Sequence, residues 1–165
     1  MSTIPRNFKD SVTPARISIN GTDGVIAYCN GDYAWTAAEE ERFTAAGKQV
    51  LHYDVIGNAW LKASILDVER YDATPDTARE WIQERNAYRH DATIYISKDN
   101  VSELFAKCGG LTYWLLLADW TGVPHMPRIP VPGGVRIAGS QYATIKGEFD
   151  ASSVYADDWH PRPAK

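Results

Sequence analysis

The 165-residue chain is 44% hydrophobic and 23% charged, enough apolar material for one core and too little length for two ordinary domains. Its net charge of −4, without any cluster of lysine or arginine, excludes the electrostatic footprint of a nucleic-acid binder. No stretch approaches the apolar length of a membrane span, and Met1 to Val12 lack the basic start and apolar centre of a signal peptide.

Residues 1–23 are polar, contain Pro5 and Pro14 and show no periodicity, so they read as an extended N-terminal arm wrapping a domain of residues 24–165. Val25 to Tyr28 is a short strand. Thr36, with Glu39 three residues on, forms a capping box that opens a helix ending near Gly47. Gln49 to Val55 and Ser64 to Glu69 are aliphatic strands, after which Thr74 caps a helix with Pro75 at its first position and Asp76 at the positive end of the dipole. Ala78, Trp81 and Ile82 mark that helix's buried stripe. Ala92 to Ser97 is a further strand; Val101, Leu104, Phe105 and Cys108 then fall at helical spacing before Gly109 stops them. Tyr113 to Ala118 and Val135 to Tyr142 are the last strands, separated by a Pro/Gly-rich loop from Gly122 to Gly134. Strand, helix, strand order predicts an α/β protein with a parallel sheet buried on both faces and its site beyond the carboxyl ends of the strands. Asp54, Asp67, Glu69, Asp119 and Gln141 all stand at or near such ends.

The most informative stretch is Ser64-Ile-Leu-Asp-Val-Glu-Arg-Tyr-Asp72. Residues i and i+2 of a strand share a face, so Asp67 and Glu69 point the same way. In a cleft walled by Tyr71 and other aromatics, desolvation and mutual repulsion would push their proton affinities apart, leaving one acid and one carboxylate, the division that glycoside cleavage needs. The competing reading is a strand-end pair that caps backbone N–H groups or pairs with Arg70 or Arg79. Tyr71, Trp114, Trp120 and Tyr142 could offer flat apolar faces to sugar rings, while Trp81 belongs to the core. His52 with Asp54 lacks the further ligands of a metal site, and His125 belongs on a surface loop. Cys29 and Cys108 fit neither a metal spacing nor a disulfide framework; they read as buried thiols, a single bridge between them being the alternative. No metal and no cofactor is expected.

Taken in order, Ile65-Leu-Asp-Val-Glu69, Thr93-Ile-Tyr-Ile-Ser97, Tyr113-Trp-Leu-Leu-Leu-Ala-Asp-Trp-Thr-Gly122, Ser140-Gln-Tyr-Ala143 and Gly147-Glu-Phe-Asp150 resemble the lysozyme-like muramidases of glycoside hydrolase family 25, and more closely the short glycoside-hydrolase-like proteins of actinobacteria and their phages. The likeness covers residues 24–160. It implies a (β/α) TIM-like barrel, reduced or incomplete because such barrels typically take ~200 residues or more, with a glycan groove at its C-terminal face. It also implies a catalytic pair of Asp67 and Glu69, with Glu69 as proton donor and Asp67 stabilising the charge developing on the sugar, directly or by orienting an acetamido group. Gln141, Tyr142 and Asp150 match further family positions, and Asp54, Asp119 and Gln141 would hold ring hydroxyls. The family has another aspartate in its first strand; Val25 to Asn30 contains none, and only Asp32 follows.

Two functions follow from this resemblance. One is a glycoside hydrolase, muramidase-like, acting on a cell-wall glycan such as peptidoglycan. The other is a phage virion protein, for instance of the tail, that keeps the barrel for glycan contact or assembly with little catalysis, its arm of residues 1–23 docking to another virion subunit. Either would reside in the host cytoplasm or the virion and act at the bacterial cell wall. The expected partners are a glycan and other virion subunits, with no nucleic acid and no membrane.

Overall fold

The caps encoded in the sequence place the helices. Thr36 Oγ1 accepts from the Glu39 backbone N–H while the Glu39 carboxylate accepts from the Thr36 N–H, satisfying two otherwise orphaned donors at the start of α1 (Ala37–Thr44). Thr74 caps α2 (Pro75–Ala87), whose first residue is proline, and α3 (Val101–Lys107) follows a 3₁₀ turn at Lys98–Asn100. The computed structural model describes residues 4–145 and 147–163. The strands are β1 (Arg6–Asp10), β2 (Gly24–Tyr28), β3 (Gln49–Asp54), β4 (Ile65–Val68), β5 (Thr93–Ser97), β6 (Tyr113–Ala118), β7 (Val135–Ile145) and β8 (Phe149–Val154). Among the described residues no helix is long and apolar enough to cross a membrane.

The eight strands close into one mixed barrel in chain order. β1 to β7 pair in parallel, and β8 runs antiparallel to both β7 and β1. Two expectations are corrected here. The segment read as an arm contributes β1, which packs Phe8 into the interior; its first three residues lie outside the described residues. The sheet is not wholly parallel, because β7 ends at Ile145 and β8 starts at Phe149, too near in sequence for a crossover, and β8 runs back antiparallel to β7. Among the described residues the α-helices follow β2, β4 and β5, where the caps at Thr36 and Thr74 and the helical spacing from Val101 place them, and a 3₁₀ turn at Pro14–Arg16 follows β1.

Inside the barrel, Phe8, Ile26, Leu51, Ile65, Trp114 and Leu116 pack with Trp159. Outside, α2 and α3 bury Trp81, Ile82 and Leu104 against β4 to β6, and α1 covers β2 through Phe43 and Trp35. At Gly139 a Cβ would collide with the Ser153 carbonyl oxygen, so β7 and β8 approach as closely as they do only with glycine there.

The amino-terminal end of the barrel is sealed by the C-terminal segment. Trp159, fully buried, donates its indole N–H to Thr93 Oγ1 at 3.0 Å, and Arg6 holds the carbonyls of Ala156 and Trp159. Arg85, missed in the buried stripe of α2, is fully buried and makes no ion pair among the described residues. Its guanidinium donates to the carbonyls of Trp60, Ala63, Asp91 and Arg162 at 2.6–2.7 Å. Burial lowers its pKa to about 10, which leaves it charged at neutral pH. Since a buried acceptor stripped of its donor costs about 1–3 kcal/mol, Arg85→Met is expected to lose about 2–5 kcal/mol of stability. The check is urea unfolding, in which the midpoint falls while the slope is unchanged.

Candidate active site

The opposite end of the barrel carries the chemistry. β4 delivers Asp67 from the interior face shared with Ile65, and Glu69 follows just past the strand end on the same side. Asp67 is only 4% exposed, Glu69 stands in the open, and both line a hollow of about 430 Å³ whose rim includes Tyr28, Tyr33 and Tyr71. Tyr71 is 88% exposed and holds a left-handed backbone (φ 79°), a conformation that costs a non-glycine residue energy and clusters at functional sites. Arg70 stacks over its ring at 4.8 Å, and Arg79 donates to the Lys107 carbonyl. Neither arginine neutralises the carboxylate pair.

β2 carries no aspartate, but the strand before it does. β1 ends in Asp10, which shares the interior face with Phe8 and sits directly opposite Asp150 across the β1–β8 ladder. Asp10 Oδ1 accepts from the Tyr28 hydroxyl at 3.3 Å, and Asp10 Oδ2 from Gln141 Nε2 at 2.9 Å. Gln141 Oε1 in turn accepts from the Tyr95 hydroxyl. Asp10 and Asp150 line a neighbouring hollow of about 210 Å³ that meets the first at Val12 and Tyr28.

Five carboxyls therefore converge: Asp10, Asp67, Glu69, Asp72 and Asp150. Among the described residues, every ion pair is made by other residues. Burial raises the proton affinity of all five. Neighbouring carboxylates add to the rise at Asp10, Asp67 and Glu69, while hydrogen bonds oppose it at Asp10, Glu69 and Asp150. Asp67 Oδ1 is shielded from solvent and has no hydrogen-bond partner. Oxygens of Asp67, Glu69 and Asp72 lie within 4.8 Å of one another, the one grouping among the described residues that could hold a metal ion. A cation there would compete with the proton that an acid catalyst must carry.

The remaining residues singled out in the sequence fall elsewhere. Asp54 is fully buried and spends both oxygens on structure, accepting from the Ile56, Gly57 and Ala59 backbone N–H groups, Asn30 and the Trp81 indole. It anchors the loop after β3 and has no capacity for a sugar hydroxyl. Asp119 is held by Lys98 and by half-buried His125, which lowers its pKa, and stands outside both hollows, as does Trp120 at 52% exposure. Tyr142 follows inward-facing Gln141 in β7 and so turns to the outer surface, at the register shift where β7 pairs Gln141 with Ser152 and Ala143 with Ala151. Trp114 is buried under Arg136. His52 pairs with Glu40, and both cysteines are free thiols, each pushed up to about 11 by burial.

The residues missed were Asp10, Tyr28, Asp72 and Tyr95. The available signal was the Phe8/Asp10 alternation, a short strand ending in a carboxylate as Ile65/Asp67 does; flanking polar residues and Pro5 concealed it.

Comparison with protein-family models, curated proteins and solved structures gives no match.

Asp67 holds its proton more tightly in the folded chain than in the unfolded one, so its contribution to stability is present below the unfolded value and lost as pH rises through the folded value. Asp67→Asn fixes the neutral form. It is expected to raise stability by about 0.5–2 kcal/mol at pH 7.5, a gain that vanishes towards pH 4, as thermal melts across that range would measure.

Proposed function

We propose that this chain is a glycoside-hydrolase-like domain that binds and hydrolyses a cell-wall glycan of the peptidoglycan kind, on a reduced (β/α) TIM-like barrel. The observation that carries this reading is the convergence of five unneutralised carboxyls on an aromatic-rimmed hollow at the carboxyl end of the parallel strands. Glu69, accessible and with raised proton affinity, protonates the leaving glycosidic oxygen. Asp67 lies behind it, stabilising positive charge on the sugar or orienting an acetamido group. One oxygen of each lies within 4.8 Å of the other, close enough for the two carboxyls to act on one glycosidic bond. Tyr71 and Tyr33 present exposed faces to sugar rings, and Asp10 with Asp150 extends the polar floor along the groove.

A second reading is a virion protein, such as a tail component, that contacts glycan without cleaving it. The reduced barrel, with helices after only three strands, favours it. The loss of a first-strand aspartate no longer does, since Asp10 ends β1.

Purified bacterial cell walls distinguish the two. Hydrolysis is followed as falling turbidity with new reducing ends, and Glu69→Gln is expected to reduce it about 10²–10⁴-fold while leaving wall binding intact. Activity should fall on the alkaline side as Glu69 ionises, with a midpoint above the ordinary glutamate value. Wall binding without release by the unmodified protein would establish the virion reading instead.

A further inference from the structure

We propose that Asp67, Glu69 and Asp72 form a binding site for a hard divalent cation of the calcium kind, and that the bound cation holds the site in a non-hydrolytic state. The binding stands on its own; its effect on hydrolysis rests on the reading of Glu69 as the acid.

The three carboxyls come together through the pattern Asp67-x-Glu69-x-x-Asp72. β4 brings Asp67 inward and ends at Val68, and Glu69 follows on the same side. The chain then turns through left-handed Tyr71, and the Asp72 backbone N–H donates to the Glu69 carbonyl at 3.1 Å. One oxygen of each residue lies within 4.8 Å of the other two. Two ligands of a single Ca²⁺, each at about 2.3–2.6 Å, stand up to about 5 Å apart, so one ion can touch all three with little movement.

Gathered carboxylates alone are common on protein surfaces, and Asp67 sets this group apart. It is 4% exposed, it lines the hollow of about 430 Å³, and its Oδ1 is sealed from solvent with no hydrogen-bond partner. A buried acceptor left unsatisfied is costly, and a cation shared with Glu69 and Asp72 supplies the missing partner. The other two carboxyls of the cluster do not compete for this role. Asp10 uses its oxygens on Tyr28 and Gln141, and Asp150 lines the neighbouring hollow instead. Among the described residues no lysine or arginine lines the larger hollow, so its own walls offer no counter-charge.

The donor set selects the ion. The lining holds carboxylates, tyrosines and Asn30, and among the described residues neither histidine nor cysteine, which disfavours zinc and copper and suits Ca²⁺, Mg²⁺ or Mn²⁺. Mg²⁺ gives up its water reluctantly, whereas the enclosed Asp67 is reached only by an ion that has shed water on that side. Ca²⁺ accepts about six to eight oxygens in loose geometry, one or two from each carboxylate and the rest from water in the open hollow. A Glu69 carboxylate engaged in this way carries no proton to give a leaving oxygen, so hydrolysis stops until the cation leaves.

Chelator-treated protein, without any glycan, is titrated calorimetrically with CaCl₂. One saturable site with a Kd of about 10⁻⁴–10⁻³ M is expected, with a melting temperature that climbs with Ca²⁺ concentration and weaker binding of Mg²⁺. Tb³⁺, a Ca²⁺ mimic excited through nearby tyrosines, should luminesce in the hollow lined by Tyr28, Tyr33 and Tyr71 and be displaced by Ca²⁺. Asp72→Asn, in the turn between β4 and α2, should raise the Kd about tenfold or more, while Glu103→Gln, an exposed change on α3, should leave it unaltered. No saturation by about 10 mM Ca²⁺, an unchanged Kd in Asp72→Asn, or Mg²⁺ binding as tight as Ca²⁺ would overturn the site. The titration and the Tb³⁺ displacement on the unaltered protein decide even if Asp72→Asn does not fold. On cell walls, saturating Ca²⁺ should abolish release and Asp72→Asn should resist that inhibition; release undiminished by saturating Ca²⁺ would overturn the inhibitory role. A protein that binds Ca²⁺ and never cleaves walls fails as a hydrolase and keeps the site, while one that cleaves walls without binding Ca²⁺ loses only the site.

Discussion

The antiparallel insertion of β8 between β7 and β1 is the constraint on which the rest of the molecule depends. Seven parallel strands would leave two open edges, each a row of unpaired N–H and C=O groups. β8 removes both, and because a hairpin suffices to reach it, the closure needs no further helix. Its register then dictates the site. Pairing Arg6 with Val154 and Phe8 with Ser152 leaves Asp10 opposite Asp150 at the carboxyl end of β1. The same ladder, read on its other side, sets Gln141 opposite Ser152 and forces the bulge at Tyr142. A one-residue slip of β8 would turn its inward-facing side chains outward.

The two ends of the barrel solve opposite electrostatic problems. At the amino-terminal end a buried cation, Arg85, is surrounded by carbonyl dipoles and tied to the chain's last described segment, while Trp159 fills the space inside. There the Arg85 guanidinium and the Trp159 indole each find acceptors, although Trp114 Nε1 and Tyr113 Oη, also buried, do not. At the carboxyl end, carboxyl groups are gathered without any cationic partner, and Asp67 keeps a buried oxygen unsatisfied. Such an arrangement opposes folding, and it persists because the well-packed opposite end and the closed sheet over-determine the backbone that carries it. The contrast separates a scaffold from a site more sharply than shape alone, since both ends have hollows.

What was legible in the sequence followed the strength of local signals. The capping box at Thr36, the Thr74-Pro75 start and the aliphatic runs of β3 to β6 each declare their element within a few residues, and the structure contains all of them. β1 and β8 were missed because they are polar: Arg-Asn-Phe-Lys-Asp and Phe-Asp-Ala-Ser-Ser-Val place few apolar groups in the interior and take their stability from pairing with each other, a long-range term that no window of sequence contains. The Asp-x-Glu spacing located Asp67 and Glu69 because strand alternation is local. Asp54 carried an equally suggestive position at a strand end, yet its role is decided by Asn30, Trp81 and three backbone donors, some of them far away in sequence. Tyr142 failed because it is adjacent to Gln141 in one strand, and successive side chains face opposite sides: with Gln141 inward, Tyr142 faces out.

The division between Asp67 and Glu69 follows from where β4 stops. Asp67 is still within the ladder, paired in register with Tyr95, so its carboxyl is enclosed by the barrel wall. Glu69 lies just beyond Val68, the last residue of the strand, and the chain then turns through left-handed Tyr71. Two residues of strand rise, roughly 6.6–6.8 Å, therefore separate a group shut away from water from one that meets it. Identical chemistry at the two positions would not give identical behaviour. The enclosed group feels desolvation first and its neighbours' charge second, while the open one can exchange its proton with whatever enters the hollow. A ladder extended past Val68 would enclose Glu69 on the same face as Asp67 and dissolve the distinction.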